Sequence, residues 1–451
     1  MRKFHLIIFT IMLLLAYPAT AAAQSINIPS DIAYILIDSR TGRVMAEQNA
    51  DQRLGPASTT KIMTAILALE KGDPGKEMNV SLQAVNDIGR GGMNVGIMAG
   101  EKGLTLDNLL HVMLIKSANE TANIIAENIA PSRSEFVDMM NTKAKELGAV
   151  NTTFKNPCGK DTEKDDAGHL TTPRDLAAMA RYAMTLPKFR EIVSTEYYKD
   201  MPVTDKHNDW GILRNTNQFL WYDNTYPYTL DGVEHKYAVT GMKTGYTVAA
   251  GNNLVTSATG EDGMGIIAVV MHVTQPNKIY GYSKELMRYG FENYSMQKIC
   301  TAGQILSNET VEGAKDGIVS IGLQAAADIS SALPMGMDIK DIETKLNIPQ
   351  PLKAPVNKGD VLGNVEFRNK GVLMGTAEIT AAQSVERAPA AVRDNTSSAK
   401  AQPNSSYSYI LLGILVILSI LVIVRMVLRS ISRKMRSKKY AQKYYNPREY
   451  D

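Results

Sequence analysis

Apolar residues come in short blocks along this chain, and their spacing changes from strand-like to helix-like and back again. Residues 33–37 form a near-continuous apolar run and residues 44–47 a second. Between them lies the polar, glycine-containing stretch Asp38-Ser39-Arg40-Thr41-Gly42-Arg43, so the pattern predicts a hairpin. Ile62, Ile66 and Leu69 then share one stripe of a helix that Gly72 stops. Residues 106–115 and 120–130 read as two further helices on either side of Lys116-Ser117-Ala118-Asn119. Phe136, Met140, Ala144 and Leu147 repeat at helical spacing over residues 134–147, with Gly148 as the stop. Thr172-Pro173-Arg174-Asp175 opens another helix, with a capping threonine, proline at the first position and an acid in the first turn. After Asp205 the chain is turn-rich and aromatic. Residues 237–242, 252–258 and 264–273 then read as strands, the last two joined through Gly260-Glu261-Asp262-Gly263, and residues 276–294 as a returning helix. A strand pair, a block of helices and then more strands predict an α+β domain whose sheet is assembled from both ends of the segment.

Past residue 295 the pattern changes to short apolar runs between turns, as in residues 317–321 and 361–365, which predicts a small, separate β-rich domain. Residues 386–406 are rich in Ala, Ser, Pro and Asn and read as a linker. Residues 407–428 are almost wholly apolar, interrupted by Ser408, Gly413, Ser419 and a snorkelling Arg425, and are long enough to cross a bilayer. A strongly basic tail follows over residues 429–451, which places it on the cytoplasmic side and the domains outside. At the other end, Arg2 and Lys3, the apolar residues 6–16 and the small residues Ala21-Ala22-Ala23 form a secretory signal over residues 1–23. The expected layout is therefore signal peptide 1–23, α+β domain 24–294, β-rich domain 295–385, linker, membrane anchor 407–428 and tail.

Composition narrows the function by exclusion. The 451 residues are 44% apolar, ample for packed cores, and the net charge of +3 with no basic, aromatic-studded face argues against nucleic-acid binding. No clustered Cys/His set and no His-Glu-x-x-His helix appears, so neither a metal site nor a cofactor is expected. Two cysteines, Cys158 and Cys300, leave pairing open. His169, His272 and Asp175 lie in the α+β segment and are read as structural, because no Gly-x-Ser-x-Gly elbow exists to make a Ser-His-Asp hydrolase.

The candidate chemistry begins at Ser58-Thr59-Thr60-Lys61, which opens the first helix. A spacing of three stacks the serine and lysine side chains on one helix face, and a hydroxyl becomes a nucleophile when a neighbouring base takes its proton. Alone the motif proves little, since Ser295/Lys298 and Ser397/Lys400 share the spacing. Two later motifs single out Ser58: Ser117-Ala118-Asn119 between two helices, and Lys243-Thr244-Gly245 at the end of a strand.

This ordered triplet is the set used by penicillin-binding proteins and class A β-lactamases. Together with residues 56–64, Lys116 to Ala122, Met242 to Thr247, Phe154-Lys155-Asn156-Pro157 and residues 169–176, it makes the chain resemble the serine D-alanyl-D-alanine carboxypeptidases, the low-molecular-weight penicillin-binding proteins. The resemblance implies an antiparallel sheet flanked by helices, followed by a β-rich C-terminal domain. It implies that Ser58 is acylated by peptidoglycan stem peptides, or by β-lactam antibiotics as covalent inhibitors, releasing the terminal D-alanine. Lys61, desolvated near Lys243, would take the serine proton, Ser117 would relay protons, and Asn119 would hold Lys61 and the substrate amide. Lys243 and Thr244 would face the substrate carboxylate, Gly245 would let the ligand approach, and the backbone N–H groups of Ser58 and Tyr246 would form the oxyanion hole. Which lysine acts as base stays open. Family members often carry an arginine after the last strand, where the nearest cation here is Lys278. A β-lactamase, with Glu163 as the acid in the right window, a peptidoglycan endopeptidase or transpeptidase, and a non-catalytic wall-binding protein are the alternatives.

Overall fold

A computed structural model describes residues 26–89, 91–161 and 167–389. The signal segment, the apolar run 407–428, the basic tail and Glu163 all lie outside those residues. Among the described residues, no helix is long and apolar enough to cross a membrane.

Strands β1 (Ala33–Asp38) and β2 (Val44–Gln48) form the predicted hairpin. Helices α1 (Lys61–Lys71), α2 (Leu82–Asn86), α3 (Leu106–Ile115), α4 (Asn119–Ile129), α5 (Arg133–Glu146), α6 (Pro173–Ala183) and α7 (Pro187–Val193) follow as one block. A short ribbon, β3 (Tyr197–Tyr198) and β4 (Leu213–Arg214), leads into β5 (Thr225–Leu230), β6 (Val233–Thr247), β7 (Gly251–Gly260) and β8 (Gly265–Val273), and α8 (Lys278–Asn293) closes the domain. Local chemistry sets the helix starts. Thr105 caps α3 in a reciprocal capping box with Asn108, and the Thr172 side chain accepts from Asp175 N ahead of Pro173.

The main sheet is antiparallel in the order β2-β1-β8-β7-β6-β5, so the first hairpin docks on the last strand, as the order of elements predicts. Strands β1 and β8 read as unbroken apolar runs because both faces are covered. Ile35, Ile37, Ile267 and Val269 pack against the helix block, whereas Tyr34, Leu36, Ile266 and Val270 pack against Leu286, Met287 and Phe291 of α8. Burial on two sides removes the usual alternation of polar and apolar positions.

Strand β9 (Tyr294–Cys300) starts where α8 ends and pairs with β12 (Ile329–Pro334). The remaining strands, β10 (Ile305–Ala314), β11 (Gly317–Ala325), β13 (Glu343–Asn347), β14 (Leu352–Lys353), β15 (Val361–Asn369) and β16 (Val372–Ala381), form a second six-stranded sheet with its own core around Val311, Leu323, Val365 and Ile379. The tip of the first hairpin ties this region to the main sheet. Arg43 donates to Ala332 O, lies 3.2 Å from Met374 Sδ and sits over the Tyr294 ring, while Arg40 donates to Ser330 O.

Candidate active site

Pro56 leads into a single 3₁₀ turn, Ala57–Thr60, that continues directly into α1. Thr59 holds the turn through its hydroxyl, which donates to Pro56 O at 2.7 Å. Ala57 has φ +48, a left-handed conformation costly for a residue with a Cβ, and this presents Ser58 half-buried at the floor of the cleft. Lys61 lies one turn on, with no exposed surface. Its Nζ donates to Ser58 Oγ at 2.8 Å, to Asn119 Oδ1 at 2.7 Å and to Cys158 O at 2.7 Å. Three acceptors match the three protons of an ammonium, so the charged form is fully satisfied although dry. Burial nonetheless lowers its pKa to about 8, against the smaller opposing effects of Cys158 and Glu120.

Ser117 is the second non-glycine residue here with positive φ, at +65, in the link between α3 and α4. Ser117 lines the same cleft as Ser58. Asn119, the first residue of α4, is fixed at three points. Its N–H donates to Met93 O at 2.8 Å, its Nδ2 to Ile88 O at 2.7 Å, and its Oδ1 accepts from Lys61. Those bonds tie Ile88 and Met93, which line the cleft, to the helix start.

The opposite wall is β6. Strand β5 pairs with it only up to Ala238, so from Thr240 onward its outer edge carries no strand partner. Lys243-Thr244-Gly245 lies within the strand rather than at its end, because β6 runs on to Thr247. Alternation along it buries Lys243 completely, leaves Thr244 partly exposed and exposes Tyr246. Lys243 Nζ donates to Thr244 O at 2.8 Å, and burial, with repulsion from Lys61, drives its pKa far down. Desolvation is the main cause of the lowered basicity of both lysines. Thr244 Oγ1 donates at 2.7 Å to Thr216 Oγ1, a cleft hydroxyl that the sequence pattern did not mark. Gly245 packs on the nucleophile turn so closely that an added Cβ would stand 3.1 Å from Ser58 N.

The cleft has a volume of about 1390 Å³ and brings together Ser58, Ser117, Asn119, Thr244, Gly245 and Tyr246. Lys61 and Lys243 lie beneath its surface. Pro276, Asn277, Ile279 and Tyr280 line it, whereas Lys278 does not, so the cation expected after the last strand does not line this cleft. The Cys158 carbonyl was also missed, since no side-chain pattern signals a backbone acceptor. Both cysteines are free and buried. His169 is structural. Its Nδ1 accepts from Lys155 N at 3.1 Å, its Nε2 meets Thr60 Oγ1 at 2.8 Å, and burial lowers its pKa to about 3. Asp175 accepts from Asn151 N and Thr152 Oγ1 at the start of α6. Ser295 and Lys298 fall on β9, where a spacing of three sends side chains to opposite faces. Among the described residues, no three His, Cys, Asp or Glu side chains are grouped to hold a metal ion.

A serine against a desolvated lysine, under two walls of hydrogen-bonding groups, is suited to acyl transfer. Comparison with known proteins agrees. Residues 19–275 match the D-alanyl-D-alanine carboxypeptidase family, peptidase S11, and residues 294–387 match the C-terminal domain of penicillin-binding protein 5. The chain is similar to D-alanyl-D-alanine carboxypeptidase DacF of Bacillus subtilis, 29% identical over 394 residues that cover 86% of this chain and 95% of the relative. It is likewise 29% identical over 402 residues to D-alanyl-D-alanine carboxypeptidase DacC of Escherichia coli, covering 85% and 89%. Among solved structures, penicillin binding protein 5 from Haemophilus influenzae aligns with a TM-score of 0.61 at 27% identity, over 80% of this chain and 99% of that one. The chain belongs to the D-alanyl-D-alanine carboxypeptidase family of serine peptidases.

Proposed function

We propose that this protein removes the terminal D-alanine from peptidoglycan stem pentapeptides through a Ser58 acyl-enzyme, and that β-lactams acylate the same hydroxyl. The observation that carries this reading is the position of Lys61 Nζ, 2.8 Å from Ser58 Oγ and in a site dry enough to lower its proton affinity. A pKa of about 8 leaves roughly one lysine in ten neutral at pH 7, enough for a resident base. The substrate backbone extends along the free edge of β6, with its carboxylate toward Thr244 and Thr216. Ser58 Oγ attacks the carbonyl carbon as its proton passes to Lys61. Charge on the carbonyl oxygen is met by the N–H groups of Ser58 and Tyr246. The C–N bond then breaks, and the departing D-alanine amine takes a proton delivered from Lys61 through Ser117. Water attacks the resulting ester with Lys61 again as base, and Ser58 recovers its proton. Lys61 is favoured over Lys243 as base because its Nζ is the one within 2.8 Å of Ser58 Oγ, whereas Lys243 Nζ donates to Thr244 O.

We further read residues 1–23 as a signal peptide and 407–428 as a membrane anchor, with the basic tail cytoplasmic and the two sheets outside. The test of activity is fluorescent penicillin labelling of the wild-type chain and of Ser58→Ala, with D-alanine release from a pentapeptide followed in parallel. Labelling and release by the wild type alone is expected. An unlabelled wild type, or an equally labelled variant, overturns the reading. Fast turnover of a chromogenic penicillin would favour a β-lactamase, and preferred cleavage of a cross-linked dimer an endopeptidase.

A further inference from the structure

Directly after Asn119 the chain places a carboxylate that the acylation scheme does not use. Glu120 sits in the first turn of α4, where an acid ordinarily faces solvent and favours the helix dipole. Here it is 1% exposed. Its Oε1 accepts from Val95 N at 2.7 Å, two residues past Met93 of the cleft wall, and the backbone of Gly96 and of Glu120 itself also favours the carboxylate. Burying a carboxyl is costly, and a first-turn acid has no need to be buried. Among the described charged groups, Lys61 is the one that acts on Glu120, and the two favour each other's charged forms; burial opposes this and raises the carboxyl pKa. The other titratable groups acting with Lys61 are Cys158, Lys243 and His169.

We propose that Glu120 is a positioning residue for acylation: its buried carboxylate fixes the cleft wall at Val95 and, through its charge, sets how readily the Lys61 amine takes and returns the Ser58 proton. The inference rests on the serine-acylation reading above. Two separable consequences follow. The hydrogen bond to Val95 N holds the wall that also carries Met93, the acceptor of Asn119 N–H. The charge keeps Lys61 more basic than burial alone would leave it, so removing the charge frees the neutral amine at lower pH.

The test is the rate of fluorescent penicillin acylation from pH 5.5 to 9.5 for the wild type and Glu120→Gln, with thermal unfolding of both. Glutamine keeps the shape and the acceptor for Val95 N but carries no charge. The rising limb is expected to move about one unit toward lower pH, the low end of what one facing charge does, at an unfolding midpoint near wild type. A purely structural role would leave the limb in place, and superposed limbs in a folded variant overturn this inference alone. An unlabelled wild type overturns it together with its parent reading. Should the variant not fold, the wild-type chain labelled with ¹³C-carboxyl glutamate answers the question. One resonance titrating above the ordinary glutamate range and shifting when Ser58 is acylated is expected, and its absence overturns the proposal.

Discussion

Substituting Gly245 by alanine tests the central packing contact of the site. Gly245 has no left-handed requirement, so the cost of Gly245→Ala comes from space alone. The new Cβ would stand 3.0 Å from Pro56 O, 3.0 Å from Thr59 N and 3.1 Å from Ser58 N. Comfortable carbon contacts begin near about 3.5 Å, so β6 and the nucleophile turn must separate by roughly half an ångström. All three obstructing atoms are backbone, and no side chain can rotate away. The separation acts on Ser58 N and on the strand carrying Tyr246, the two donors assigned to the oxyanion hole. Complete loss of one such donor costs about 3 kcal/mol. A partial displacement is expected to cost about 1–3 kcal/mol, or roughly five- to 150-fold in acylation rate, with a loss of stability of only about 1 kcal/mol.

Gly159→Ala is the comparison. Its Cβ would lie 1.9 Å from Ala57 O, on a backbone with φ +87, so the chain itself must rearrange and folding is expected to fail first. The assay is the second-order rate of fluorescent penicillin acylation together with the thermal midpoint of each variant. Acylation of Gly245→Ala at the wild-type rate would refute the argument, and so would a stability loss equal to that of Gly159→Ala.

Below pH 8 the acylation rate should rise about tenfold per unit and level off above, since the neutral Lys61 amine is the reactive form; a flat profile from pH 6 to 9 would show that another base acts. His169 is held neutral down to about pH 3 in the folded chain against 6.5 when unfolded, so the unfolded state binds the extra proton and stability falls as pH drops through that window. The full loss amounts to at most about 5 kcal/mol, and urea midpoints measured from pH 7 to 4 should fall less steeply in His169→Gln. Arg43→Met should loosen the second sheet from the first hairpin, splitting or broadening the calorimetric transition while leaving acylation within about twofold, because its contacts to Ala332 O and Met374 lie between the two regions. A single, unshifted transition would show that Arg43 does not couple them.

Several elements escaped sequence reading for identifiable reasons. Strand β5 contains Pro227 between Tyr226 and Tyr228, which argues against a central strand, yet β5 is the sheet edge, where a missing N–H is tolerated. Helices α2 and α7 are only 5 and 7 residues long, too short for apolar periodicity to register. The Lys-Thr-Gly motif appeared to end its strand because the alternation weakens at Tyr246, which faces the cleft rather than a core. Thr216, the Cys158 carbonyl and the burial of Glu120 left no local signature. Each is defined by what the fold brings beside it.

What the amino-acid sequence determined by itself is the order of the elements and the identity of the reactive groups. A spacing of three at a helix start is enough to stack Ser58 and Lys61. A buried strand of alternating fit is enough to separate Lys243 from Thr244 onto opposite faces. The tertiary structure decided their reactivity. Lys61 loses basicity only where the helix block seals it from water, beside acceptors from Asn119 and Cys158. The outer edge of β6 lies without a strand partner beside the cleft only because β5 stops short at Ala238. Desolvation and strand pairing are properties of what surrounds a residue, and local spacing along the chain does not encode them.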